Sequence, residues 1–369
     1  MCVHILSADR TRPLHECPSE GHNRWHPDIE PRIVVKDGDE VEIHTRDSFD
    51  CQICRGMTGP DLAKASLGRA HPLTGPVFVE GASPGDILAV DIIDVRAHNE
   101  GYTVIAPGFG FLRQEFVEPH IVHWEMADGI ATSASLPGVR IPEAPFFGVM
   151  GLAPSHELLE RINRRERALL DRGGFVFPPD VDGAVPTDPA IAATAIRTIA
   201  PHEVGGNLDI RDLTAGTTLF LPVYQEGGLF SVGDAHYAQG DGESCGSAIE
   251  TSAVLHARFR VLKGEAARRK QIDPSFAREK PTGRAEADGR FYATTGTCVT
   301  SNGESLGEDL NLATRNALLN MVDHLCDWRG LSRNDAVVLC SVAVNLRLSQ
   351  IVDVPNLTVS AVLPLGIFD

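Results

Sequence analysis

Between Phe230 and Glu250 the chain reads FSVGDAHYAQGDGESCGSAIE. Asp234, His236, Asp241, Glu243, Cys245 and Glu250 stand there among glycines and alanines. Groups able to bind a metal, move a proton or attack a carbonyl thus share a segment with little bulk of its own. Asp234 and His236 are two residues apart, so a strand running on from Phe230 carries both on one face. Imidazole nitrogen and carboxylate oxygen placed that way both suit one divalent ion such as zinc. An isolated Asp-x-His is more commonly a polar pair at a strand end; the acids that follow are what favour a metal. Gly240 and Gly242 let the backbone bend and a small molecule come close. Asp241, Glu243 and Glu250 offer a further ligand, a general base or a proton donor for a departing amine.

Cys245 is the competing nucleophile. A thiolate needs a neighbouring cation, base or helix N-terminus, and the sequence around Cys245 is acidic, which favours a plain structural thiol. No G-x-S-x-G elbow is present to support serine chemistry in this segment. Three other insertions carry polar groups. GGNLDIRDL places Asn207 and Asp209 two apart beside glycines, a pattern that also fits an Asx-type turn. TRDSFDCQI places Asp47, Asp50 and Gln52 after a strand. His71, in AHPLTGP, reads as a solvent-facing loop histidine. Cys51 and Cys54 form a C-x-x-C without a second pair at zinc-knuckle spacing.

The elements that must position these groups are mostly strands. PRIVVKDGDEVEIHT, GPVFVEGASPGDILAVDIIDV and DLTAGTTLFLPV each read as strand or turn followed by strand, as in the hairpins of sandwiches and barrels. SAIETSAVLHARFRVL reads as one long strand, with Leu255, Ala257, Phe259 and Val261 on one face and His256, Arg258 and Arg260 on the other. Glu250 has the parity of the polar face. Two helices are expected. One runs over Ser155–Gly174 with Leu158, Leu159, Ile162 and Leu169 buried; the other runs over Leu306–Gly330 with Leu306, Leu310, Ala313, Ala317, Met321 and Leu325 recurring at three- and four-residue steps as its stripe. The stretch from Phe175 to Pro201 reads as a surface loop. The class is β-rich α+β, and no glycine stretch opens an amphipathic helix as a dinucleotide-binding unit requires.

Composition narrows the partners. The 369 residues include 50 acidic and 33 basic ones, for a formal charge of −17. Such a balance argues against a nucleic-acid partner, which needs clustered lysine and arginine, and against anionic membranes. No apolar run approaches the roughly 20 residues of a membrane span. The first residues lack a basic segment followed by an apolar one, so eight scattered cysteines are expected as reduced thiols in a cytoplasm.

Taken in order, GGNLDIRDL and TTLFLPVYQEGGLFSVGDAHYAQGDGESCGSAIE resemble the signature of the acetamidase/formamidase family. DSFDCQI, HPLTGPVFVEGASPGDILAVDI, APFFGVMGLAP and GLSRNDAVVLCSVAVNLRLSQIVDVPN extend the resemblance over most of the chain. It implies hydrolysis of small carboxamides with release of ammonia, a divalent metal (zinc as the usual proposal), and a homo-oligomer. It also implies a sandwich-like β portion, set here at 1–200, joined to an α+β portion at 201–369. Carried onto this chain, it gives Asp47, Asp234 and His236 as metal ligands and Glu243 and Glu250 as proton carriers. Asn207, Asp209, Tyr237, Gln239 and Asp241 are then expected around the substrate. Lactam-cleaving members share these motifs, so a cyclic amide is the alternative substrate, and a metal-stabilised amide-binding module the alternative outside enzymology. Three positions depart from the family pattern: Tyr237 where a small residue is usual, Asn345 where aspartate is expected, and HEVGGN in place of RENGGN.

Overall fold

The computed structural model describes residues 3–114, 116–278, 289–331, 333, 336 and 344–365. Two large sheets dominate. The first has nine strands in the order Val3–Leu6, Glu40–His44, Ala253–Leu262, Ile87–Ala97, Thr218–Pro222, Ser275–Arg278, Phe291–Gly296, Thr358–Pro364 and Asn345–Gln350. The second has ten, and its centre is Phe230–His236, flanked by Phe146–Gly151, Leu73–Val79 and the short strand Glu250–Thr251. Strands from both sides of residue 200 alternate within each sheet.

The two sheets share one apolar core. Val41, Ile43, Val90, Leu255 and Phe259 from the first meet Val77, Phe147, Val149, Phe230 and Val232 from the second. The rings of Phe230 and Phe259 lie edge to face with centroids 5.1 Å apart. The alternation read from Leu255 to Arg260 holds: Leu255, Ala257 and Phe259 are buried, while His256 and Arg258 pair with Glu40 and Arg260 with Asp91.

Two expectations are corrected. The segments that resemble hairpins are corners between the sheets. Ile33–Val35 belongs to the second sheet and Glu40–His44 to the first; Leu73–Val79 and Ile87–Ala97 are split in the same way. A strand–turn–strand pattern specifies a reversal of the chain, but either sheet of a sandwich can take the returning strand. The long strand over Ser247–Leu262 is also two strands. Glu250–Thr251 pairs with Phe230–His236, and from Ala253 onward the chain pairs in the other sheet. The parity of Glu250 relative to Arg258 therefore says nothing about its surroundings.

The helices form close to where they were read. His156–Asp171 is capped by Ser155, whose Oγ accepts from the Leu158 N–H, and it buries Leu158, Leu159, Ile162 and Leu169. Leu310–Arg329 begins at Asp309 rather than Leu306, because the Asp309 carboxylate accepts from the Leu312 N–H. Its buried stripe is Ala313, Ala317, Met321, Val322 and Leu325, ending at Gly330 in the left-handed conformation; Leu306, expected on it, is exposed ahead of the cap, and Leu310 in the first turn is only partly buried. Within Lys263–Arg290, a short helix over Glu265–Arg269 and the strand Ser275–Arg278 are described, and 279–288 lies outside the described residues. No described helix is long and apolar enough to cross a membrane.

Candidate active site

The strand Phe230–His236 is buried along its whole length, and it delivers Asp234 and His236 to the end of the second sheet. Across from it runs Phe146–Gly151, with Phe146 opposite His236 and Val149 opposite Gly233. Gly148 falls opposite Asp234. A methyl group at Gly148 would sit 2.2 Å from Asp209 Oδ1, 2.5 Å from Asp234 Oδ2 and 2.8 Å from His236 Cε1. The site thus has a floor made of bare backbone, and side chains from three other segments converge above it. On the far side, Glu250 stands directly across the ladder from His236.

His236 is fully buried among carboxylates. Its Nε2 lies 3.3 Å from Asp234 Oδ2 and 3.4 Å from Glu250 Oε1, and its Nδ1 lies 3.7 Å from Asp209 Oδ1. Two donor sets share the imidazole: Asp234, His236 and Glu250, and Asp209, His236 and Glu243, each with ligand atoms within 4.8 Å of one another. Neither nitrogen of His236 has a hydrogen bond of good geometry, and Asp209 Oδ1 and Glu250 Oε2 have no hydrogen-bond partner. Buried polar atoms are rarely left so, and here four of them face one another. The donor set of one imidazole and several carboxylates on a floor clear of side chains fits a divalent ion.

The electrostatics agree with that fit. Burial raises the pKa of Asp209 and Glu250, with the Asp234 charge adding to both. Glu243 stands well above the ordinary carboxylate range, through burial and then the Asp209 charge. Burial works to raise Asp234 too, yet His71 and His236 hold it low. Burial lowers His236, but Glu250 and Asp234 more than reverse this and set it well above the ordinary imidazole value. The positive groups set against these acids are His71 and His236.

The backbone is strained at the same place. Asp209, Asp234 and Glu243 have φ of +46°, +57° and +47°. The left-handed region is uncommon for residues other than glycine, and each instance costs about 1–3 kcal/mol held by the surrounding structure. Three carboxylates of one cluster are aimed by this means.

Of the sequence-derived residues, the structure brings together Asp209, Asp234, His236, Glu243 and Glu250. Asn207 lines the small cavity beside them, its Nδ2 donating to the Ile199 carbonyl at 3.1 Å. Gln239 and Asp241 line a separate, larger pocket of about 530 Å³ on the outer side of Glu243. Gln239 is fixed by Nε2 bonds to the carbonyls of Asp209 and Ser349. Tyr237 points away from the cavity and packs with Trp124, Met126, Ala131 and Ile249. Asp47 stands outside both donor sets. Its Oδ1 accepts from Tyr102 Oη at 2.5 Å and from the Phe49 N–H, and its Oδ2 accepts from the Cys51 N–H. Tyr102 in turn lies opposite Glu250, so Asp47 acts at one remove. Cys245 lines the outer pocket, and its Sγ donates to the Ser247 carbonyl at 3.3 Å. Asn345 is exposed at the start of an edge strand, remote from the question of a lost carboxylate.

Two residues of the cavity were not singled out as functional by sequence. His71 is half-buried rather than solvent-facing. Its N–H donates to Thr198 Oγ1 at 2.7 Å and its Nδ1 lies 3.2 Å from the Thr198 carbonyl. Asp353 hydrogen-bonds Asp209, and burial together with the Asp209 charge raises its pKa well above the ordinary carboxylate range. Both residues lie in segments whose family resemblance was legible, AHPLTGP and VDVPN, but neither has a local pattern that marks it.

Comparison with known proteins completes the picture. The family model described as "Acetamidase/Formamidase family" matches residues 7–369. The chain belongs to that family. A formamidase of Methylophilus methylotrophus is 33% identical over 385 residues, covering 99% of this chain and 93% of the relative. An acetamidase of Mycolicibacterium smegmatis is 35% identical over 353 residues, covering 88% and 86%. A solved γ-lactamase from Delftia acidovorans superposes with a TM-score of 0.74 at 32% identity, covering 100% of this chain and 94% of that one. This member of the acetamidase/formamidase family is an amidase, a hydrolase of carbon–nitrogen bonds other than peptide bonds.

Proposed function

We propose that the protein hydrolyses formamide- and acetamide-like carboxamides with the help of a divalent metal, zinc being the leading choice. The observation that supports this most is the His236 cluster. Four buried acids surround one imidazole, both of its nitrogens lack a hydrogen-bond partner, and Gly148 keeps side-chain bulk out of the floor beneath them. Asp234 and Glu250 would hold the ion together with His236 Nε2, and Asp209 stands at the other ring nitrogen, where it orients the imidazole. Such an ion supplies positive charge for the amide carbonyl oxygen and makes nearby water more acidic.

The remaining steps belong to the chain's own groups. Glu243 lines both the inner cavity and the 530 Å³ outer pocket, so it meets whatever enters and a water beside it. It takes the proton of the attacking water and delivers it to the amide nitrogen, which leaves as ammonia. Asp353 lies against Asp209, and burial with the Asp209 charge favours its neutral form, which limits the negative charge beneath the site. Asn207, whose Oδ1 has no hydrogen-bond partner, would orient the amide NH2. Asp47, first expected as a ligand, positions Tyr102 against Glu250.

The test is ammonia release from formamide and acetamide before and after chelation, with metal content measured on the same samples. Loss of activity with the metal and recovery on adding zinc is the expected result. Full activity in metal-free protein would remove the metal from the reading. Loss of activity in Cys245→Ser with metal retained would turn it toward thiol chemistry.

A further inference from the structure

The inner cavity has two unlike sides. Asn207, Asp234, Glu243, Glu250 and Asp353 form the polar one, while Phe49, Leu67, Ala70, Ala106, Phe109, Phe177 and Ile199 close the other. Only about 40 Å³ is open in it to the centres of water-sized spheres. One water needs roughly 10–15 Å³ on that measure. The cavity therefore has room for about three to four such groups, close to the heavy atoms of formamide or acetamide.

Phe109 and Phe177 make the wall that the acyl group would meet. Both are half-buried, and their rings are tilted against each other with centroids 6.2 Å apart. Phe177 is backed by Phe175 at 5.2 Å and by the Arg197 guanidinium, 5.2 Å from its ring centre. Arg197 is itself buried and tied to the Leu67 carbonyl. Phe109 presses on Gly246, where a methyl group would come within 2.4 Å of the ring. Phe177 is thus braced from behind and Phe109 is held against Phe177 and Gly246, so neither yields space cheaply.

We infer that Phe109 and Phe177 set the acyl-length limit of this enzyme, admitting formyl and acetyl groups and excluding longer chains and lactam rings. The inference rests on the amidase reading of the same cavity. The polar side fixes the carboxamide, so added methylenes go toward the apolar wall, of which these two aromatic rings are a large part. A methylene more or less in an apolar pocket changes specificity by about 10- to 200-fold.

The experiment measures kcat/KM for ammonia release from formamide, acetamide, propionamide and butyramide in the metal-replete enzyme. For the unaltered protein a fall of about tenfold or more is expected at each step beyond acetamide. Phe177→Ala and Phe109→Ala are each expected to raise the butyramide-to-formamide ratio at least about tenfold, with Phe177→Leu between. Phe111→Ala serves as control, because Phe111 is 56% exposed on the same loop and lines no part of the cavity; its ratio should stay at the parental value. Equal turnover of butyramide and formamide by the parent overturns the inference, as does an unchanged ratio in all three wall variants or an equal shift in Phe111→Ala. Should Phe177→Ala and Phe109→Ala fail to fold, Phe177→Leu alone decides. No ammonia from any of the four amides would instead overturn the underlying substrate reading.

Discussion

Two buried histidines in this molecule sit among carboxylates, and their neighbourhoods differ in one respect. His202 lies 3.5 Å from Glu166 and 3.3 Å from Arg165, and Arg165 holds Glu203 through two bonds of 2.6 and 2.8 Å. The cation there is part of the chain. Burial and Arg165 push His202 down to about 3, while Arg165 overcomes the burial of Glu203 and takes it to about 2. His236 has more acids around it, with no lysine or arginine prominent among the influences on them. A buried excess of negative charge is costly unless something positive completes it. The first cluster is completed by a cation of the fold, and the proposed metal would play that part in the second.

Parallel substitutions would break this contrast or sharpen it. The largest effect is expected for His236→Ala, with ammonia release down about a thousand-fold or more and metal content lost. His202→Ala should lower stability by about 1–3 kcal/mol and leave the rate within a few-fold. Equal loss of activity in both variants would dissolve the distinction. Gly148→Ala comes next. Its methyl group must displace the Asp209 and Asp234 oxygens, so a fall of about 100-fold is expected together with reduced metal content by elemental analysis. The smallest effect concerns Glu166, raised by burial from 4.5 to about 7. Folding takes up a proton at such a group, so its contribution to stability is full below about pH 4.5 and lost as pH rises through 7. Glu166→Gln should therefore raise the melting temperature at pH 8 relative to the parent, by up to about 3 kcal/mol in stability, with no gain at pH 4.5.

The sequence made some of this legible and hid the rest for physical reasons. Alternation at Leu255, Ala257 and Phe259 and the stripes of the two long helices were readable because burial imposes a period on consecutive residues. Asp234 and His236 were readable for the same reason, being neighbours on one strand. Which sheet receives a returning strand leaves no periodic trace, so Ile33–Val35 and Glu40–His44 resembled a hairpin. Asp353, His71 and Gly148 reach the site from three distant segments, and each is locally an ordinary residue. Asp47 illustrates the reverse case: its turn, Asp47 to Cys51, gives it polar partners of its own, which its position after a strand did not reveal.

The left-handed backbones at Asp209, Asp234 and Glu243 bear on how this enzyme should be dissected. Alanine is a poor probe at these three positions, because it deletes the carboxylate and leaves a Cβ in a conformation that resists it. Asparagine tolerates that region nearly as well as aspartate, so an amide replacement separates lost charge from lost geometry at Asp209 and Asp234. Glycine would relax the chain while removing the acid, and a glycine variant that melts higher and turns over nothing is a natural form for this site to decay into. Selection for thermostability alone would run toward that form, and a screen for hardier enzyme has to score ammonia as well as heat.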